Sequence, residues 1–442
     1  MMRPLLTLLL AGCSVAGVEP GPASLELPSC GSITDHGAVA NDGLDDSPAV
    51  QAAVDACAAA GGGTVSVPVG VYTLARHGGW AYFAVGLADG VELRGDSRAG
   101  SILRLAPGSA SSVKLLQADG TTDAAVTNIT LDGDKANQTV NEHRHGVVVQ
   151  DSARFRVEQV TAQNFTGDGV YLYNGVTDAT VRDVRATGNT RNGLTIAPSI
   201  PGVQVRGVSV SNSQFVANAA QQFDSEPGGE GRIEDVRISD CLFDAEGIST
   251  EYVLTISGTS TAFKGNGWHV VNSRINGPIV IVWFDDVTLT GNTIQNPTTK
   301  AAILVYRTAS RVAITGNRIA LTSTTVTSGR AVYVAATSST SQPDDIVISS
   351  NIISAAFATN MGIDIGGAAR ATITGNTISG AGSVAWYPGI RVRGTVQSVK
   401  SVIVTGNNIR GFVKGFDVHD AQNVQTVVVT GNTFNDLPLV WP

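Results

Sequence analysis

Apolar and polar positions alternate in short runs along most of this chain, the period-two signature of strands with one buried face. One pattern reads apolar, any, apolar, then a turn, then Ile or Phe. It occurs as Val208-Ser-Val210 with Phe215, Val236-Arg-Ile238 with Phe243, and Trp268-His-Val270 with Ile275. It continues as Val287-Thr-Leu289 with Ile294 and Val312-Ala-Ile314 with Ile319, and further copies start at Ile346, Ala371, Val402 and Val427. Starts recur roughly every 25 residues with variable insertions, which indicates stacked coils with loops of different length, not independent domains.

The turn in this pattern is often Gly-Asn, at Gly291-Asn292, Gly316-Asn317, Gly375-Asn376, Gly406-Asn407 and Gly431-Asn432. Asn tolerates left-handed backbone, and stacked Asn side chains can bond from coil to coil, so these residues are read as structural. A second pattern lies between copies of the first. It reads any-Gly-apolar-any-apolar, as in His145-Gly-Val-Val-Val149, Asp168-Gly-Val-Tyr-Leu172, Asn192-Gly-Leu-Thr-Ile196 and Met361-Gly-Ile-Asp-Ile365. Two strand registers per coil, each returning in the same direction, predict an all-β, right-handed parallel β-helix, a solenoid. One amphipathic helix is expected near 47–60, with Ser47 as N-cap, Pro48 opening the helix, and Val50, Val54 and Cys57 on one face. A bare first coil exposes core and strand edges, so this helix is read as the N-terminal cap.

Composition sharpens this picture. Among 442 residues there are 50 Gly, aromatics are 6% and charged residues only 15%, which suits brief strands and tight turns. The net charge of −8 and the lack of a long basic run argue against nucleic acid or an anionic membrane surface as partner. At the start, Arg3 precedes an apolar stretch too short to span a bilayer, ending in Leu10-Ala11-Gly12-Cys13. This looks like a bacterial lipobox, with lipidation at Cys13; an ordinary secretory signal is the alternative. The expected organisation is a signal peptide over 1–12, a flexible tether over 13–29 and a single β-helix domain over 30–442. The protein would then be a cell-envelope lipoprotein at the outer membrane or cell surface, touching membrane only through its lipid. In that oxidising setting Cys30 and Cys57 are the candidate disulfide pair, while Cys241 reads as a buried core thiol. Subunit number is not encoded in any of these patterns.

Three segments carry a family resemblance: Gly62-Gly-Thr-Val-Ser-Val-Pro-Val-Gly-Val-Tyr72, Val91-Glu-Leu-Arg-Gly95 and Ile129-Thr-Leu-Asp-Gly133. They resemble the N-terminal signature of the pectate-lyase-like β-helix superfamily, and the resemblance runs from about residue 33 to the C-terminus. That group includes polygalacturonases, polysaccharide lyases, mannuronan C5-epimerases and phage tailspikes. It implies a polysaccharide partner but fixes no reaction, because one scaffold carries several chemistries and some non-enzymes.

Aligning the early copies of the second pattern predicts three outward columns. The first holds His145, Asp168, Asn192 and Gln221; the second Val148, Tyr171, Thr195 and Asp224; the third Gln150, Tyr173, Ala197 and Glu226. Four coils cover roughly 14 Å, enough for about three sugar units. Asp224 and Glu226 share a face with Cα atoms about 6.8 Å apart. Glycosidases use two carboxyl groups, about 5–5.5 Å apart to retain configuration or about 6.5–9.5 Å apart to invert it. On this reading Asp224 and Glu226 are the acid/base pair and Asp168 an assisting carboxylate. Tyr171, Tyr173, Arg191 and Asn192 position the sugar.

A lyase or epimerase needs a cation for the uronate carboxylate and proton carriers around the ring. Arg191 or Arg144 would supply the charge, with His145 and Tyr171 moving protons. The sets that mark polygalacturonases, true pectate lyases and mannuronan epimerases are missing, and Asp224-Ser-Glu-Pro227 only loosely echoes the epimerase stretch. No cofactor is expected. Asp42-Gly-Leu-Asp-Asp46 is superficially like a calcium loop but lacks the full ligand pattern. A late column of Tyr333, Asp364, Arg391 and Asp417, with Tyr306, Arg393 and His419, reads as alternating charge on an exposed sheet or as a second sugar patch. The resulting expectation is an extracellular polysaccharide-degrading or -modifying enzyme, with a glycosidase ahead of a lyase or epimerase. A non-catalytic glycan-binding or envelope β-helix is the competing class.

Overall fold

The computed structural model describes residues 27–76, 82–109, 112–248, 250–323, 329–337, 341–355, 357–381, 387–394 and 399–435. The expected signal peptide, Cys13 and nearly all of the tether lie outside the described residues. The rest forms an all-β, right-handed parallel solenoid of about 12 turns. Among the described residues three parallel sheets run its length: sheet A has 15 strands, sheet B 14 and sheet C 13. A single coil shows how the chain serves all three. Arg156–Glu158 lies in sheet A, Thr161–Gln163 in sheet B and Val170–Tyr173 in sheet C.

Three sheets replace the two registers expected from the sequence. The Ile or Phe closing the first pattern belongs to a strand of its own, as Gln214–Val216 does for Phe215. The turn between is too sharp for one continuous strand. At Gly316 the backbone is left-handed, with φ 66°. In the Gly-Asn turns glycine takes this conformation and Asn follows it, whereas in coils without that glycine Asn takes it itself, as Asn212 and Asn272 do at φ 52° and 51°. The Asn that follows the glycine turns its side chain into the corner. Nδ2 of Asn317 donates to Oδ1 of Asn351 at 3.0 Å, Asn351 to Asn376 at 2.9 Å, and Asn376 to Asn407 at 2.9 Å. All four residues are buried. Each amide also receives a backbone N–H from the coil before, so the ladder satisfies corner groups that the sheets cannot reach.

The helix Ser47–Ala59 packs Val50, Ala53, Val54 and Cys57 over the first coil. Asp46, not Ser47, occupies the N-cap position, and the Ser47 hydroxyl donates to the Ala75 carbonyl at 2.8 Å. Gln51 mimics a strand at the open edge of sheet C: its amide nitrogen Nε2 donates to Gly86 O at 3.0 Å, and Oε1 accepts the Gly86 N–H at 2.7 Å. That blocks edge pairing. Cys30 and Cys57 are joined as a disulfide, Cα atoms 5.3 Å apart, tying the first strand to the helix. The carboxylates of Asp45 and Asp46 accept backbone N–H groups of Ala75, Val39 and Thr73 and so fasten the cap to the coils. No described helix is long and apolar enough to cross a membrane.

In mid-solenoid the core turns aromatic. Phe215 and Phe243 stack with centroids 5.4 Å apart, and Phe223 meets Trp268 edge-to-face at 5.4 Å. Phe223 is wholly buried and precedes Asp224 on the strand Phe223–Ser225. Burial of such a ring stabilises by about 2–3 kcal/mol, which anchors the strand that presents Asp224.

Candidate functional site

The site is built on the outer face of sheet C. Strand register brings the second predicted column together: Val148 pairs with Tyr171, Tyr171 with Thr195, and Thr195 with Asp224. The third column is present as Gln150, Tyr173 and Ala197, while Glu226 lies just past its strand. The first column stacks through its backbone, with Gly146 N–H donating to Asp168 O at 2.9 Å and Gly169 N–H to Asn192 O at 3.0 Å. Glycine makes this column possible. A Cβ on Gly169 would point into the core, 3.2 Å from the Ala186 Cβ, so the residue before it faces out.

Facing out does not mean exposed. Asp168, Asn192 and Thr195 are completely covered and Asp224 nearly so. Coils about 4.8 Å apart leave no gap between stacked side chains, and Arg191 closes over the column. Its Nη1 donates to Asp168 Oδ2 at 3.0 Å and its Nη2 donates to Glu226 Oε2. Asn192, expected to position the sugar, is enclosed by these neighbours. Its backbone N–H donates to Asp168 Oδ1 at 2.8 Å, and its Nδ2 donates to Thr195 Oγ1 at 3.0 Å and to Asp224 Oδ2 at 3.5 Å. Arg144 is withdrawn as a sugar-binding residue. It is fully buried, with guanidinium donors on the carbonyls of Thr139 and Ser109, so it ties loops together.

His145 sits at the centre. Its ring stacks on Tyr171 with centroids 4.5 Å apart and planes 13° from parallel, and Tyr171 continues to Tyr173 at 5.7 Å. Nδ1 of His145 has the Asp168 amide 3.0 Å away and the Asp168 Oδ2 3.2 Å away. It accepts from the amide when the ring is neutral and donates to the carboxylate when protonated. Burial lowers the imidazole's affinity for a second proton; Asp168 opposes this but does not prevail, so the neutral ring is favoured.

The charges around it divide the carboxyl groups. Asp224 is pushed up to about 7, by burial first and then by the neighbouring Glu226 and Asp168, with Arg191 opposing. Tyr171 is held as a phenol well above its ordinary range, by burial and then by Glu226 and Asp168. Burial works against the Arg191 charge, but Asp168 and Glu226 outweigh it. The cluster thus holds a neutral imidazole, a firmly protonated phenol and a carboxyl that titrates near neutrality.

Beside it opens a groove of about 490 Å³, lined by Tyr82, Lys114, Gln117, His145, Tyr171 and Tyr173 among others. Lys114 went unread in the sequence. It lies one coil before His145, since Leu115 N–H donates to His145 O at 3.0 Å, and Leu116 pairs with Val147. Extending the column one coil towards the N-terminus finds it. Burial lowers its pKa, and its ammonium lies 5.6 Å from the Tyr82 ring centroid. Groups of three or more His, Cys, Asp or Glu arranged to hold a metal are absent among the described residues.

The family model described as "Right handed beta helix region" matches residues 116–319 and 301–437. The chain is 30% identical over 200 residues to mannuronan C5-epimerase AlgE1 of Azotobacter vinelandii, a match covering 43% of this chain and 14% of that protein. It therefore spans only a small part of that relative's length. The A-module of A. vinelandii mannuronan C-5 epimerase AlgE6 superposes with a TM-score of 0.55 at 19% identity, over 93% of this chain and 99% of the module. PfbA, a surface adhesin of Streptococcus pneumoniae, superposes at 0.51 and 16% identity, over 92% and 91% of the two chains. At such identities the two superpositions speak for the fold.

Proposed function

This chain belongs to the right-handed β-helix family, and from that premise we propose that it modifies an acidic polysaccharide by removing the C5 proton of a uronate unit. The observation that carries this reading is the His145–Tyr171 stack, 4.5 Å between centroids, opening on a groove that also holds Lys114. Neutral His145 takes the proton as the C5–H bond breaks. The developing charge on the uronate carboxylate is met by Lys114. The Tyr171 hydroxyl then returns a proton to C5, giving the epimer; if it instead protonates the C4 oxygen substituent as the C4–O bond breaks, that group leaves as the alcohol and a C4–C5 double bond forms. Asp168 and Arg191 hold His145 and Glu226 in place and do not touch substrate. The likeness to mannuronan C5-epimerases over 200 residues supports the same substrate class.

A second reading rests on Asp224. A carboxyl pushed up to about 7 beside the carboxylate of Glu226 is the pairing that glycoside hydrolysis uses. Incubation with polymannuronate and a neutral glucan in deuterated water separates the two. Deuterium at C5, or absorbance near 235 nm, lost in His145→Gln, supports proton abstraction. New reducing ends alone, lost in Asp224→Asn, would establish hydrolysis in its place. Binding without turnover would move the protein to the glycan-binding class.

Export and lipid anchoring at Cys13 are part of the same proposal, motivated by Leu10-Ala11-Gly12-Cys13. Incorporation of labelled palmitate in cells, abolished by Cys13→Ser, is the corresponding test.

A further inference from the structure

The outer column of sheet C does not stop at Asp224. Phe223 pairs with Leu254, which sets Thr255 next to Asp224 on the neighbouring coil, and register then carries the column through Val280, Leu304 and Tyr333 to Asp364 and Arg391. Seven coil steps separate Tyr171 from Asp364, roughly 34 Å at about 4.8 Å per coil, room for about seven sugar units. A groove of about 760 Å³ occupies the middle of this path, lined by Gln221, Tyr252, Thr255, Trp283, Tyr306 and Tyr333 among others. Two of its residues are strained. Trp283 has φ 50° and Arg307 φ 58°, and that backbone sets the Arg307 guanidinium 3.9 Å from the Trp283 ring centroid.

At the far end three arginines converge on one carboxylate. Asp364 is completely buried, which replaces the expected exposed row of alternating charge. It accepts from Arg330 Nε at 2.7 Å, Arg391 Nη2 at 2.8 Å and Arg393 Nε at 3.2 Å, while Arg393 Nη2 also donates to the Tyr333 hydroxyl at 2.9 Å. One carboxylate cannot balance three guanidinium groups, and Asp417 beside them is held by Lys414 at 3.1 Å. Both Nη atoms of Arg330, and Nη1 of Arg391 and of Arg393, make no hydrogen bond among the described residues. Donors of fixed geometry, held on a buried anchor with net positive charge, suit a planar carboxylate.

We propose that Arg330, Arg391 and Arg393 form a distal subsite for the carboxylate of a uronate unit, in the same polysaccharide chain whose other end lies at Tyr171. This rests on the acidic-polysaccharide reading and adds the direction of the chain, along the solenoid axis, and a minimum length. The aromatic groove carries the sugars between the two ends. Asp364 serves as the positioning residue that holds the three guanidinium groups together.

Calorimetric titration of the whole protein with mannuronate oligomers of about four and about ten units tests it. The wild type should bind the longer oligomer at least about tenfold more tightly, and Arg393→Gln should erase that gain while leaving the shorter one unchanged, with Arg393→Lys restoring part of it. Arg330→Gln gives the same reading should Arg393→Gln fail to fold, judged by circular dichroism. Equal affinity for both lengths in the wild type, or a gain that survives these substitutions in folded protein, overturns the distal subsite and leaves the Tyr171 site standing. Failure of both oligomers to bind would remove the acidic-polysaccharide reading itself.

Discussion

The carboxylate of Asp168, wholly buried, lies 3.0 Å from Nη1 of Arg191, and the same arginine reaches out to the half-exposed Glu226. One guanidinium thus joins an interior anion to a surface one. The two ends of this bridge differ sharply in worth, because breaking a buried pair strands a desolvated charge and breaking a surface pair does not.

Asp168→Ala is therefore expected to lose about 3–5 kcal/mol of stability, whereas Glu226→Gln should lose less than about 1 kcal/mol. Urea unfolding followed by circular dichroism checks both. Similar losses for the two variants would mean that Arg191 finds equal compensation at either end.

Asp224 makes stability depend on pH. Its folded pKa, about 7, lies above the ordinary carboxyl value of 3.8, so the folded state binds the proton more tightly than the unfolded chain does. The contribution is fully present below pH 4 and is lost as pH rises through 7, at about 1.4 kcal/mol per unit of pKa difference at most. The melting temperature of the wild type should accordingly fall between pH 5 and 8 relative to Asp224→Asn. Parallel pH profiles for the two proteins would contradict this.

Turnover should separate the residues that carry protons from those that hold them. His145→Gln and Tyr171→Phe are expected to lower kcat by about 10²–10⁴ with little change in KM. Initial rates on polymannuronate across pH measure both effects. Equal loss from Tyr173→Phe, whose hydroxyl accepts from Ser199 at 2.9 Å, would point to hydrogen bonding by either hydroxyl and not to proton transfer by Tyr171.

The asparagine ladder predicts a stability cost far from any site. Asn351 donates to Asn376 and to the Ile314 carbonyl and accepts the Asn317 backbone N–H, all in the buried corner. Asn351→Ala strands those partners and is expected to cost about 3 kcal/mol. Asn432→Ala, at the more open end of the ladder, should cost less than half as much in the same urea titration.

The solenoid was legible in the residues alone, because a buried face every second residue and a coil repeated roughly every 25 residues leave few other ways to bury Val, Ile and Phe. It placed the capping helix, the core positions Phe215, Phe243 and Trp268, and the column Val148, Tyr171, Thr195 and Asp224, since each follows from local period and parallel return. Burial and long-range pairing emerged from how the coils stack. Arg144 and Arg191 are alike in sequence, yet one ties loops together and the other bridges Asp168 to Glu226. Lys114 joins His145, and Arg330 joins Arg393 across 63 residues of chain, through coil stacking whose insertions vary in length. Alternation tells which way a side chain points; only the neighbouring coils decide whether water still reaches it.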